Sequence, residues 1–200
     1  MIVVGLGNPG RSYENTRHNV GYRVVSGLGL ELGWRFMPGP GDFLAAAGDV
    51  GDVAVRLILP LTFMNLSGRA VTQVLEASGS SPSELLVVCD DVNLELEQIR
   101  FRRSGSDGGH NGLASIIEVL STEEFARLRL GVRRPPPDVD MADYVLEPFA
   151  EEEAPGAAAM VGRAVAAARV CLTNGIDVAM NEFNRYDAGL GETENGQEDR

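Results

Sequence analysis

The sequence predicts an α/β protein: one domain built on a mixed, twisted β-sheet covered by helices, with a helical flank toward the C-terminus. Three observations predict it. The runs 2–4 and 85–89 are continuous, apolar and rich in Val, Ile and Leu, the pattern of strands buried on both faces. Helix-period stretches lie between such runs. Beyond Pro135-Pro136-Pro137 the pattern is helical only, so the last helices flank the sheet instead of interleaving with it.

The elements follow in order. The first strand, 2–4, is ended by Gly5, and Val20, Val24, Val25, Leu28 and Leu32 then recur at helical spacing over 19–33. Segments 42–48 and 52–59 flank Gly48-Asp49-Val50-Gly51 and read as a hairpin. Ser67 reads as the cap of a helix running to about Ser78, and the strand 85–89 ends at Asp90-Asp91. Residues 98–103 alternate Ile99 and Phe101 with polar residues, the mark of a strand with one wet face. A Gly-rich loop at 104–109 enters a helix carrying Leu113, Ile116, Ile117 and Leu120, and 127–132 alternate again as a strand. Helices are expected at 140–146, around 151–173 in an alanine-rich stretch, and near 176–184.

Composition narrows the function classes. The 200 residues suit one domain, assigned to 1–187, with a polar, acidic tail at 188–200 that reads as disordered. No apolar run is read as reaching the ~20 residues of a membrane helix, and the first residues lack a signal-peptide pattern, so a cytoplasmic chain without membrane contact is expected. Cys89 and Cys171 lie far apart, which gives a disulfide framework little support. There is no lysine, so all 17 basic residues are arginines, and Schiff-base lysines and the phosphate-loop lysine are excluded. The net charge is −12, yet residues 98–137 carry seven arginines against four acids. Arg100, Arg102, Arg103, Arg127, Arg129, Arg133 and Arg134 therefore form a candidate phosphate-binding stretch in an acidic protein.

Gly5-Leu6-Gly7-Asn8-Pro9-Gly10 matches the dinucleotide-binding glycine pattern letter for letter. Its context argues against that reading. Gly10 leads into Arg11-Ser12-Tyr13-Glu14-Asn15-Thr16, which has no apolar helical face, and Glu31 sits inside a helical pattern instead of ending a second strand. The polar residues Asn8, Asn65 and Asp90 each follow an apolar run, the place where ligands sit in open α/β sheets.

His18 precedes a helix among hydrogen-bonding side chains, and Asp90-Asp91 close a buried strand. A carboxylate on one imidazole nitrogen fixes the tautomer and leaves the other to take a proton from water. Such a pair hydrolyses without metal or covalent nucleophile. His110 is the rival base, placed in a Gly-rich helix entry whose backbone amides, with the Asn111 side chain, would suit an anion or a developing oxyanion.

Together the segments VGLGNPG, YENTRHNVG, PLTFMNLSG, the VVCDD strand end, and GSDGGHNGL with RLRLGV beyond resemble the bacterial peptidyl-tRNA hydrolase family, over about residues 1–185. The resemblance implies cleavage of the ester between a peptide and its tRNA, with peptidyl-tRNA as partner, by a cytoplasmic monomer that uses no cofactor and no metal. It implies that His18 activates water, that Asp90 holds His18 in its basic form, and that Asn8 helps distinguish blocked from unblocked aminoacyl groups. By the same resemblance Asn65 and Asn111 bind substrate and the attacking water, Tyr13 and Phe63 lie near the tRNA 3′ end, and Arg102 and Arg129 contact tRNA phosphate.

Several positions depart from the family pattern. Leu59 stands in place of a usual lysine, Asn93 of an aspartate, Glu95 of a proline, Glu97 of a glycine and Arg133 of a glycine. The lost lysine and added acids are expected to weaken positive potential beside the site. An RNA-binding module without turnover is the alternative of another class, and a nucleotide-dependent oxidoreductase rests on the glycine pattern alone.

Overall fold

A computed structural model describes residues 1–185; the tail expected at 188–200 lies outside the described residues. One seven-stranded sheet forms the centre, in the order β2-β3-β4-β1-β5-β7-β6. The strands are β1 (Ile2–Gly5), β2 (Met37–Pro38), β3 (Phe43–Val50), β4 (Val53–Pro60), β5 (Leu85–Asp91), β6 (Ile99–Arg102) and β7 (Ala126–Gly131). The helices are α1 (Val20–Glu31), α2 (Ser67–Ser78), α3 (Asn111–Leu120), α4 (Met141–Leu146), α5 (Ala154–Asn174) and α6 (Ile176–Phe183).

Four central strands, β4, β1, β5 and β7, run parallel, while β2, β3 and β6 are antiparallel additions. The continuous apolar runs are the central strands, because each buries both faces. Val3 packs with α1 and α5 residues on one side, and Ile2 and Val4 pack with α2 and α3 residues on the other. Parallel strands align their carboxyl ends, so Asn8 after β1, Asn65 after β4 and Asp90 on β5 meet at one edge of the sheet.

Gly5 works in a different way from a dinucleotide loop. A Cβ at Gly5 would sit 2.5 Å from the Gly21 carbonyl oxygen, and one at Gly21 would sit 2.3 Å from the Val88 carbonyl oxygen. Two glycines thus let α1 touch the backbone of β1 and β5, which brings the turn before α1 down onto the end of β5. The chain after Gly10 forms a 3-10 turn, Arg11–Tyr13, in place of the helix that would hold a pyrophosphate.

Three local expectations are corrected. Ser67 is the first residue of α2, entered directly from a 3-10 turn, and its hydroxyl donates to the Met64 carbonyl instead of capping the helix. β5 does not stop before the carboxylates but runs through Asp91, because β7 pairs with it that far. The chain does hold a helix long and apolar enough to span a membrane: α5 has 21 residues, within which an 18-residue window reaches a mean hydropathy of 1.3. Arg163 and Arg169 interrupt the run and hide its length in the sequence, and Met160, Ala164, Ala168, Cys171 and Leu172 are buried in the core.

At the outer edge of β6 the Asn184 side chain pairs with the backbone of one residue. Its Oδ1 accepts from the Phe101 N–H at 2.7 Å, and its Nδ2 donates to the Phe101 carbonyl at 3.2 Å.

Candidate active site

The polar centre is built on Asp90, which is 3 % exposed. A buried carboxylate is costly unless every lone pair is answered, and here two imidazoles answer one oxygen. His18 Nδ1 and His110 Nε2 each lie 2.9 Å from Asp90 Oδ1. The two rings are 4.8 Å apart and tilted by 45°.

The tautomers follow from the surroundings. His110 caps α3: its Nδ1 accepts from the amides of Gly112 and Leu113 at 3.1 and 3.3 Å, so its proton is on Nε2 and points at Asp90. Both nitrogens of His110 are therefore engaged, and it cannot take a proton from water without giving up the cap. His18 donates from Nδ1, and its Nε2 has no partner among the described residues. That leaves one basic lone pair, next to the two cavities that His18 lines.

Electrostatics agree with this division. Burial alone would raise Asp90, but the two imidazoles outweigh it and hold the carboxyl well below the usual carboxylate range. Burial draws His18 toward its neutral form, yet the Asp90 charge and hydrogen bond prevail and raise its pKa above 6.5. The ligand-type atoms of His18, Asp90 and His110 all lie within 4.8 Å of one another, close enough for a cation. A metal on His110 Nε2 would have to strip the proton that the α3 cap places there.

Asn8 is oriented as firmly. Its Oδ1 accepts from the Met64 N–H at 2.7 Å, which turns its NH2 away from Met64. Its backbone is gripped by the Asn19 side chain, which accepts from Asn8 N and donates to Asn8 O, each at 2.9 Å. Asn8, Tyr13, Phe63, Asn65 and Asn111 join His18 around an open cavity of about 320 Å³. A second cavity, of about 250 Å³, lies across His18 and Asn111 and reaches Asp91, the loop at 107–110 and Arg129. Ala142 and Val145 of α4 line both.

Much of the donor capacity of the Gly-rich loop is spent within the loop and its helix entry. The amides of Gly112 and Leu113 are consumed by His110, that of Gly109 by Asp107 Oδ1, and that of His110 by the Asp107 carbonyl. The Asn111 side chain is a further donor beside both cavities.

The fold gives the arginines of this stretch different partners, although Arg100 and Arg102 stand opposite Arg129 and Arg127 across β6 and β7. Arg127 is 2 % exposed, stacks on Phe125 at 4.3 Å, and donates to the carbonyls of Gly105, Ser106, Glu123 and Phe125. It clamps the loop and has no face for phosphate. Arg129 lies 2.5 Å from Asp91 in an ion pair without aligned hydrogen-bond geometry. Arg103 is held by Asp177, Arg133 by Glu95 at 3.2 Å, and Arg134 by Asn93. Arg100 and Arg102 remain, exposed on β6 and without partners among the described residues. Leu59 is 7 % exposed and packs in the core, so the lysine it replaces bears less on the site potential than its position in the sequence suggests.

Sequence reasoning placed His18, Asp90, Asn8, Asn65, Asn111, Tyr13 and Phe63 in one crevice, and the structure brings them there. Arg129 reaches the second cavity, whereas Arg102 lines neither. Sequence reasoning missed Asn19 as the holder of Asn8, His110 as a second partner of Asp90, and α4 as a wall.

Comparisons with known proteins converge on one family. The family model described as peptidyl-tRNA hydrolase matches residues 2–190. A peptidyl-tRNA hydrolase of Methylacidiphilum infernorum is 44% identical over 183 residues, covering 92% of this chain and 97% of that protein. One of Bacillus subtilis is 41% identical over 184 residues, covering 92% and 98%. The crystal structure of peptidyl-tRNA hydrolase from Acinetobacter baumannii superposes with a TM-score of 0.87 at 31% identity, covering 92% of this chain and 94% of that one.

Proposed function

The chain belongs to the peptidyl-tRNA hydrolase family and hydrolyses the ester bond of peptidyl-tRNA, and we propose that His18 is the general base of that reaction, oriented by Asp90. The observation that carries this reading is the bond from His18 Nδ1 to a buried, doubly bonded Asp90, with Nε2 left open beside the cavities.

The steps follow from the atoms. Water held near Asn111 gives a proton to His18 Nε2 while its oxygen attacks the ester carbonyl. The imidazolium is stabilised by the Asp90 carboxylate, which stays ionised because His110 also donates to it. Collapse of the tetrahedral intermediate breaks the bond to the ribose oxygen, and His18 returns the proton to it. The products are a free carboxylate on the peptide and a free hydroxyl on the tRNA.

Asn8 supplies selectivity. Its oriented NH2 can donate to a peptide carbonyl, whereas the ammonium of an unblocked aminoacyl ester offers donors only and leaves the buried Asn8 amide unpaired. Asn65 is the further polar contact, and Tyr13 and Phe63, the latter 56 % exposed, are surfaces on which unpaired 3′ bases stack. Arg102, with Arg100, offers charge to tRNA phosphate, and Arg129 does so only by loosening its hold on Asp91. The reading includes no cofactor or metal, a single chain as the working unit, and action in the cytoplasm.

Cleavage of N-acetyl-phenylalanyl-tRNA against the unblocked ester, by the native chain and by His18→Ala, tests the proposal. Cleavage of the blocked ester alone, lost with the substitution, is expected. Retention of activity in His18→Ala would remove His18 as the base.

A further inference from the structure

The residue before the base, Arg17, has no part in the chemistry described so far and is even more buried than His18, at 5 % exposed against 7 %. A buried guanidinium requires partners, and all of those that Arg17 finds lie well over a hundred residues away in sequence. Its NH1 donates to the carbonyls of Tyr144, Glu147 and Pro148 at 3.3, 3.4 and 3.0 Å. Its NH2 pairs with Glu153 Oε2 at 2.7 Å. The guanidinium lies 4.1 Å from the Tyr144 ring and 5.3 Å from the Phe149 ring. The backbone repeats the attachment, since Arg17 N–H donates to the Glu147 carbonyl at 3.1 Å and Thr16 bridges to Pro148.

What is attached is the wall of the site. Helix α4 has six residues, too few to hold its own shape in water. Asp140 caps its first turn, and the Tyr144 hydroxyl donates to the Val132 carbonyl at 2.8 Å. Its last turn ends in carbonyls, and Arg17 is the cation that answers them. Ala142 and Val145 of this helix face both cavities, and Met141 and Leu146 line one each.

We propose that Arg17 is a positioning residue that latches α4 to the turn carrying His18, so that the wall against which substrate binds is set from the same turn as the base. The latch acts on substrate affinity more than on the chemical step, because Arg17 touches neither the cavities nor His18 Nε2. The inference rests on the reading of these cavities as the substrate site, but not on the identity of the base.

The test compares the full chain with Arg17→Met, Arg17→Lys and Glu153→Gln, by amide hydrogen exchange and by steady-state cleavage of N-acetyl-phenylalanyl-tRNA. In Arg17→Met, exchange over 141–147 is expected to speed up while that of β1 and β5 stays as in the native chain. KM is expected to rise about tenfold or more with kcat within about threefold, the pattern of lost uniform binding. Lysine keeps the charge for Glu153 but cannot fork to three carbonyls, so Arg17→Lys restores only part of the KM. Unchanged exchange over 141–147, or an unchanged KM in a folded Arg17→Met, overturns the latch. Should Arg17→Met not fold, Glu153→Gln decides: a KM raised about threefold supports the latch, and a native KM overturns it. The exchange arm is read without turnover, so a failure of His18 as base and a failure of the latch give different results.

Discussion

The crevice at the carboxyl ends of the parallel strands and the arginine-rich flank of β6 and β7 use conspicuous residues in opposite ways. In the crevice, single polar residues from distant segments converge: His18, Asp90 and His110 form one bonded group with His18 Nε2 left free among the described residues, and Asn8, fixed by Met64 and Asn19, lines the same cavity as His18. On the flank, neighbours in sequence are sent to separate tasks. Arg127 closes a loop from inside, Arg129 is drawn to Asp91, and Arg100 and Arg102 stay in solvent. Density of a residue type along the chain is a poor guide to its availability: Arg100 and Arg102 stand opposite Arg129 and Arg127 on one face of β6 and β7, yet loop carbonyls and Asp91 occupy two of the four.

The largest effect expected belongs to the crevice: His18→Ala should lower kcat by about a thousandfold while the chain stays folded, measured by single-turnover cleavage of a blocked ester. A loss below tenfold would mean that the crevice holds a second base. Asp90→Asn should cost about a hundredfold or more, and it carries a pH signature. The carboxylate is what raises His18, and the base works only when neutral, so the acid limb of kcat/KM lies above pH 6.5 in the native chain and moves to lower pH in the variant. A limb that stays in place would detach Asp90 from the base.

On the flank, Arg127→Ala should destabilise the fold by about 3 kcal/mol, through loop carbonyls left unpaired, and should leave the salt dependence of tRNA binding as it was. Denaturant titration and binding at several salt concentrations check the two halves. Arg102→Ala should do the reverse, keeping stability within about 0.5 kcal/mol and reducing the salt slope of tRNA binding by about one. If both variants changed the slope equally, the contrast between buried and solvent arginines would fail.

The smallest effect concerns two departures from the family pattern. Glu97 and Arg133, at positions where the resemblance expects glycine, have φ of 71° and 63°, the left-handed region that glycine enters freely. Glu97→Gly should therefore stabilise the chain by about 0.5 to 1 kcal/mol, the relief of strain less the entropy of the added glycine, read as a shift in denaturant midpoint. Arg133 reaches the neighbouring departure Glu95, which offsets part of its strain.

Much of the fold was legible because buried parallel strands and amphipathic helices carry their own periodicities, and each expected element is present. The proposed pair of His18 and Asp90 was legible because a histidine before a helix and a carboxylate at the end of a buried strand suit a base and its holder. What stayed hidden was pairing across the chain. His110 read as a rival to His18, since nothing in Gly108-Gly109-His110-Asn111 reveals that one nitrogen caps a helix and the other meets Asp90. Arg17 gave no signal of its own, since its carbonyl partners carry no side-chain signature. Ser67 has the right identity for a cap, but the 3-10 turn before it had already begun the helix.

The amide of Asn184 against Phe101 has a consequence for how these molecules meet one another. An outermost strand offers backbone donors and acceptors to any extended segment that comes alongside, which is how separate sheets fuse into one. At Phe101 that offer is already taken by two bonds from a side chain that supplies a donor and an acceptor but no further strand. A chain cut short before residue 184 would expose this rung, and its crowding behaviour, more than its catalysis, would record the loss.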